Sequence, residues 1–207
     1  MFADREEAGR RLAETLSEYR GKDALVLALP RGGVVLGAVI ARALSLPLDI
    51  IAVRKIGHPS APEFALGAVD EEGTRILNEE EAAMVDPDWL ASETARQMKE
   101  AKRRSRVYRS GKVHAHMSGK TAIIVDDGVA TGLTMRLAVK VAKVHMPTRV
   151  IVATPVSSSE AAEEILKDAD ELVVLEPPEE FLGAVGAHYI RFDQVEDVEV
   201  IRLMKGQ

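Results

Sequence analysis

Five short, almost unbroken apolar runs recur along this chain, at residues 24–29, 48–53, 121–125, 150–156 and 172–175. Runs of this length without polar alternation are the pattern of strands buried on both faces, which occur in parallel sheets covered by helices. Between them lie stretches of helical period, at 34–44, about 132–145 and 159–167, with a further helix at 4–20 that ends at Gly21. Strands alternating with helices specify an α/β chain. We therefore expect an open, mainly parallel five-stranded sheet flanked by helices. The rhythm fails at about 57–118 and again after Pro177-Pro178. The chain is accordingly read as a single domain, 1–207, with a core at about 22–56 and 119–175. A helical insertion or lid at about 57–118 and a small C-terminal hood at about 176–207 complete it. Within the insertion, 63–69 and 74–77 suit a hairpin, and a long helix is expected at about 88–110.

Composition narrows the chemistry. The 207 residues carry a net charge of −6 and no cysteine, which excludes disulfides, thiol nucleophiles and cysteine-held zinc. No run approaches the ~18 apolar residues of a membrane span. A charged N-terminus that leads into a helical pattern is not a signal peptide. The expectation is a cytoplasmic protein with no membrane partner. Asn78 is the only asparagine, and this scarcity of amides together with the absence of cysteine hints at a thermophile.

The segment 122–134, Ala-Ile-Ile-Val-Asp-Asp-Gly-Val-Ala-Thr-Gly-Leu-Thr, carries the densest chemistry. Asp126 and Asp127 stand where a buried strand ends, and a Gly/Thr-rich loop then opens a helix. Ligands of open α/β sheets bind at the carboxyl ends of strands. Successive N–H groups at a helix start cradle anions. Hydroxyls of Thr131 and Thr134 add donors to phosphate oxygens. Two carboxylates are the wrong groups to face phosphate, but suit sugar hydroxyls or a hydrated Mg²⁺. One loop thus offers a phosphate end and a ribose end. An ordinary βα turn is the plain alternative. Gly119-Lys120-Thr121 imitates the end of a nucleotide P-loop, but position 114 is His114 and the tripeptide precedes a strand, so it is rejected.

The run 123–134 resembles the 5-phosphoribosyl-1-pyrophosphate (PRPP) signature of type I phosphoribosyltransferases. Leu29-Pro-Arg-Gly-Gly-Val34 is similar to that family's pyrophosphate loop, and Val53-Arg-Lys-Ile-Gly57 to its basic pyrophosphate-contacting turn. The resemblance covers about 22–175. It implies transfer of the 5-phosphoribosyl group from PRPP to a small nitrogenous acceptor, a nucleobase, with Mg²⁺ as cofactor. It also implies roles. Asp126 and Asp127 would hold the ribose hydroxyls, and main chain from Val129 through Ala130, Thr131, Gly132 and Leu133 to Thr134 the 5-phosphate. Backbone at Arg31, Gly32 and Gly33, with Arg54 or Lys55, would hold pyrophosphate. Asp126, Asp127, Arg31 and Lys55 are the catalytic candidates. The three loops would share one edge of the sheet, with Arg31, Arg54 and Lys55 opposite the acidic pair; arginine forks suit phosphate oxygens.

Hypoxanthine–guanine members of the family usually carry aspartate at the position of Ala130 and lysine at that of Leu133, so that subgroup is disfavoured. A lid over the site is expected from 57–62, with His58, or from 111–119, with His114 and His116. Phe181, Tyr189 and Phe192 are candidates for a base pocket, although aromatics at such spacing are more often simply core. The oligomeric expectation is a homo-oligomer. A runner-up reading keeps PRPP binding but makes the chain a regulator, non-catalytic or bifunctional, that binds RNA or another partner. Its support is the basic run from Lys99 to Lys112, and its weakness is that Tyr108 is the only interleaved aromatic.

Overall fold

A computed structural model describes residues 1–112 and 114–206. The five apolar runs form one parallel sheet. Its strands are β1 (Ala24–Ala28), β2 (Leu48–Ile50), one at Thr121–Val125, one at Arg149–Thr154 and one at Glu171–Val174. Between β2 and Thr121 the chain builds a second, antiparallel sheet from β3 (Arg54–His58), β4 (Ala61–Val69) and β5 (Arg75–Leu77). The later parallel strands are therefore β6, β7 and β8, and the main sheet runs β2-β1-β6-β7-β8.

Strand period explains the two-faced core. In β1, Leu25 and Leu27 pack with Ala122, Ile124 and Val152 on one side, whereas Ala24 and Val26 join Ile123, Val125 and Ile151 on the other. Successive side chains of a strand point to opposite faces, so both sets are apolar and both faces are covered. Helices α1 (Arg5–Thr15) and α2 (Gly32–Leu44) cover the second face. The short α3 (Glu79–Ala82) follows β5, and α4 (Pro87–Arg109) packs on β3 and β4. Helices α5 (Leu133–Val144) and α6 (Ser159–Leu166) cover the first face, and α7 (Asp197–Lys205) lies against α2 and α4. Side-chain caps start four of these helices: Asp4 accepts from Glu7 N–H, Asn78 from Glu81 N–H, Asp86 from Trp89 N–H and Ser158 from Ala161 N–H. No helix among the described residues is long and apolar enough to cross a membrane.

The expected hairpin is the β4–β5 pair, but two sequence expectations need correction. The insertion is not purely helical, since it carries the antiparallel sheet. It also begins earlier than residue 57, because Arg54–His58 is a strand and not a turn. The cause lies in the pattern itself: Arg-Lys-Ile-Gly-His has one apolar side chain, Ile56, which is fully buried against Leu66 and Val69.

Candidate functional site: an acidic pair beside an open helix start

From β1 the chain moves outward to β2, then returns past β1 to β6 and continues the other way. The carboxyl ends of β1 and β6 therefore flank the point where strand order reverses, the usual ligand crevice of such sheets. Two candidate loops meet there. Leu29 N–H donates to Val125 O at 2.9 Å, extending the β1–β6 pairing into the loops. A cis peptide joins Pro30 to Arg31.

Glycine lets the two loops touch. A Cβ at Gly33 would stand 2.7 Å from Val125 O and 3.0 Å from the Cα of Asp126, and one at Gly32 would run into the Asp127 carboxylate. Two of the three nearest neighbours at Gly33 are backbone and cannot swing aside. Gly33→Ala is therefore expected to part the loops and to weaken, by about tenfold or more, the PRPP binding that the sequence resemblance implies, since misplacements of ~1 Å in a preorganised site cost that much or more. Calorimetric titration of the folded variant checks this, and wild-type affinity would refute the close-approach argument.

The acidic pair is held from several directions. Asp126 accepts from Asp127 N–H at 2.9 Å. Its carboxyl is pushed well above the usual carboxylate range, by burial first and by the Asp127 charge second. Asp127 Oδ2 accepts from Arg5 Nε at 2.7 Å, and its carbonyl accepts from the Tyr189 hydroxyl at 2.6 Å. Arg5 also donates to Asp193 O at 2.7 Å, and its guanidinium lies 3.8 Å over the Phe192 ring. The Tyr189 hydroxyl is itself pushed upward by burial, then by the Asp127 charge.

Downstream, Val129 N–H donates to Val156 O at 3.0 Å and the Ser158 hydroxyl to Ala130 O at 2.7 Å, so the loop is fastened to the start of α6. Gly132, with φ of +77°, turns the chain into α5. Among the described residues no acceptor is placed for the N–H groups of 130–134, and α5 has no side-chain cap and no acid in its first turn. That is an open anion cradle with the helix dipole behind it. A pocket of about 250 Å³ joins these parts, lined by Lys55, Asp126, Gly128, Val129, Ala130, Thr131, Gly132, Thr134, Met135 and Val185.

The structure thus brings together Asp126, Lys55 and most of the phosphate loop, with Asp127, Gly32 and Gly33 against them. Leu133 does not line the pocket, and the Val129 N–H is already committed. Arg54 is the clear geometric correction. It precedes Lys55 in β3, so its side chain takes the opposite face and donates to Gln97 Oε1 at 3.1 Å. Arg31 sits on the right loop, but its guanidinium lies 3.6 Å from both Glu196 and Asp197 at the start of α7.

Of the aromatic candidates, none lines the pocket. Phe181 stacks on His188 at 5.3 Å between centroids, and Tyr189 packs between Phe2 at 5.5 Å and Phe192 at 4.9 Å. Val185, from the same segment, is what reaches the pocket. The two lid candidates separate. Residues 57–62 form the tip of the β3–β4 hairpin, on the strand that carries Lys55. Segment 111–119, of which Val113 lies outside the described residues, leads into the amino end of β6, the opposite sheet edge, and Ala115 N–H is tied to Asp49 at 2.7 Å. It is not placed to cover the acidic loop.

Arg5 and Ser158 escaped sequence reasoning, and Tyr189, expected in a base pocket, instead holds the Asp127 carbonyl through its hydroxyl. Arg5 stands in a charged first helix beside Glu6 and Glu7, with nothing to mark it. Ser158 carried a signal, a serine just before a helical period with an acid in its first turn.

The fold defines an α/β protein of the phosphoribosyl transferase class. A family profile described as "Phosphoribosyl transferase domain" matches residues 3–189, and the chain belongs to that family. Two Mycobacterium tuberculosis proteins, named provisionally as phosphoribosyl transferases, are each 39% identical over 206 residues, which is 99% of this chain and 46% of theirs. The chain thus spans about half the length of these curated relatives. The crystal structure of TT1426 from Thermus thermophilus is 43% identical, with a TM-score of 0.80 over 98% of this chain and 97% of that one.

Proposed function

We propose that this chain transfers the 5-phosphoribosyl group of PRPP to a nitrogen nucleophile and releases pyrophosphate. The bond from C1 of the ribose to the pyrophosphate oxygen breaks, and a bond from C1 to the acceptor nitrogen forms. The observation that carries this reading is a single pocket with Asp126 of the acidic pair at one end and an uncapped, Thr/Gly-lined helix start at the other. The main chain of 130–134 takes the 5-phosphate, with the hydroxyls of Thr131 and Thr134 as further donors. Asp126 and Asp127 accept from the ribose hydroxyls. Lys55 and the Gly32–Gly33 backbone face the leaving pyrophosphate. No residue acts as a covalent nucleophile in this scheme, so orientation and charge stabilisation supply the rate.

The donor set suits Mg²⁺. Among the described residues no three His, Asp or Glu side chains are grouped as a metal cage, whereas two adjacent carboxylates beside a phosphate cradle match an ion shared with substrate oxygens. Asp126 and Asp127 would hold it, and when bound it supplies charge neutralisation at the pyrophosphate. The acceptor class favoured is a nucleobase, entering on the side of Val185.

Calorimetric titration of PRPP with Mg²⁺, for the wild type and for Asp126→Asn/Asp127→Asn, tests the reading. Saturable wild-type binding that the double variant loses is the expected result. No binding by folded wild type would overturn the assignment.

A further inference from the structure

The face of α4 turned away from the acidic loop carries a concentration of positive charge that the proposed reaction does not use. A basin of about 670 Å³ lies between α4 and β3. Its described lining comprises Arg54, Arg96, Lys99, Lys102, Arg103 and Arg106, against one carboxylate, Glu100, and Gln97. Six cations to one acid is a marked reversal in a chain of net charge −6. Part of that charge is spent internally. Glu100 accepts from Arg103 at 2.7 Å and Arg104 at 2.8 Å, and Arg103 also reaches Asp197 at 2.9 Å. Arg96 is paired with Glu93. Lys99, Lys102 and Arg106 are exposed and, among the described residues, have no carboxylate within ion-pair distance. Their spacing of three and four puts them on one helical face over about 10 Å, at ~1.5 Å per residue.

Arg54 lies at the floor. Burial first, then the charge of Arg104, hold its guanidinium below the usual arginine range. A partly buried arginine beside other cations is a group whose surroundings an anion would relieve.

We propose that this basin is a second anion site, which takes a compact polyphosphate such as the phosphate chain of a nucleoside triphosphate. Converging lysines and arginines, with arginine forks among them, match dense phosphate charge. The volume falls within the ~300–1,000 Å³ of small-molecule sites, and Arg54 of β3 contributes to its lining. A single-stranded nucleic acid fits less well, because base stacking needs exposed aromatics. Tyr108, the aromatic of this basic stretch, is buried and donates its hydroxyl to Asp197 at 2.5 Å. The basin is also separable from the acidic-loop pocket, since Arg54 and Lys55 take opposite faces of one strand.

The test uses inorganic tripolyphosphate as probe. It is titrated calorimetrically into the full chain and into Lys99→Gln/Lys102→Gln/Arg106→Gln. The expected result is wild-type binding that weakens about tenfold or more in the triple variant, while PRPP binding is retained. The same probe should shield Lys99 and Lys102 of the wild type from amine acetylation, read by mass spectrometry, and leave the exposed Lys140 of α5 unshielded; this readout needs no variant to fold. Unchanged binding in the triple variant, or no shielding, overturns the proposal. An RNA oligonucleotide that binds more tightly than tripolyphosphate and is lost in the triple variant overturns the compact occupant. Failure of the wild type to bind PRPP would sink the transferase reading and leave this one standing.

Discussion

Arg109→Met is expected to destabilise the fold by about 3–5 kcal/mol, the usual cost of removing one partner from a buried ion pair. Arg109 and Asp49 are 5% and 4% exposed, and Arg109 Nε donates to Asp49 Oδ1 at 2.8 Å. The remaining guanidinium donors reach Ile50 O at 2.6 Å, Glu71 Oε1 at 3.1 Å and the Ser105 hydroxyl. Asp49 in turn accepts from Ile50 N–H and Ala115 N–H, both at 2.7 Å. The network ties the end of α4, the loop after β4, the edge strand β2 and the approach to β6. Methionine keeps much of the volume but leaves Asp49 charged and buried. Restoring neutrality with Asp49→Leu/Arg109→Met should recover part of the loss, because the attraction and the desolvation cost leave together. Urea unfolding measures both. A single-variant loss below about 1 kcal/mol would mean that the pair contributes no more than a surface bridge.

Arg109 also shows how much of this molecule was legible in the sequence. The parallel sheet was legible because its strands are buried on both faces, and such runs have few other homes. The acidic loop was legible because its carboxylates and glycines fall together within a few residues. Arg109 was misjudged as one more member of a basic run. Yet the buried positions of α4 are Gln97, Ala101, Ser105, Tyr108 and Arg109, a helical stripe that includes the arginine. A lone aspartate between Leu48 and Ile50 in a buried strand was the matching clue, since such a charge requires a partner. Arg54 failed for a related reason, whereas Lys55 reaches the pocket. Taken as a turn, both faced the ligand; taken as a strand, alternation separates them. The aromatic hood was not legible at all. Nothing in the spacing of Phe181, Tyr189 and Phe192 says whether a ring faces ligand or core, and Tyr189 serves the site through its hydroxyl.

Asp126→Asn is expected to raise stability at neutral pH while weakening PRPP binding. The Asp126 carboxyl is raised by burial and by the adjacent Asp127 charge. The folded chain therefore binds this proton more tightly than the unfolded chain, where the group titrates near ~3.9. Stability from such a group is fully present below that value and is lost as pH rises through the folded-state pKa, since the native state holds the extra proton in between. As pH rises above the unfolded-chain value, the fold either holds this proton or carries a charge that its surroundings disfavour, and each costs stability. Asparagine keeps an oxygen to accept from Asp127 N–H, at 2.9 Å in the wild type, and removes the charge. The gain should be a Tm higher by about 2–4 °C, equivalent to ~1 kcal/mol in a chain of this size. Because the wild-type penalty disappears when Asp126 is protonated, the two melting curves should converge towards about pH 4 and part as pH rises. Thermal melts across that range, without ligand, measure the gap; a variant less stable at neutral pH, or a gap indifferent to pH, would refute the argument. The expected pattern has a functional sense. In the proposed reaction, a charge disfavoured at Asp126 in the free protein would gain partners from ribose hydroxyls or a cation. Part of the stability forgone in the free state is thus returned on binding, in the way active sites commonly trade stability for ligand recognition.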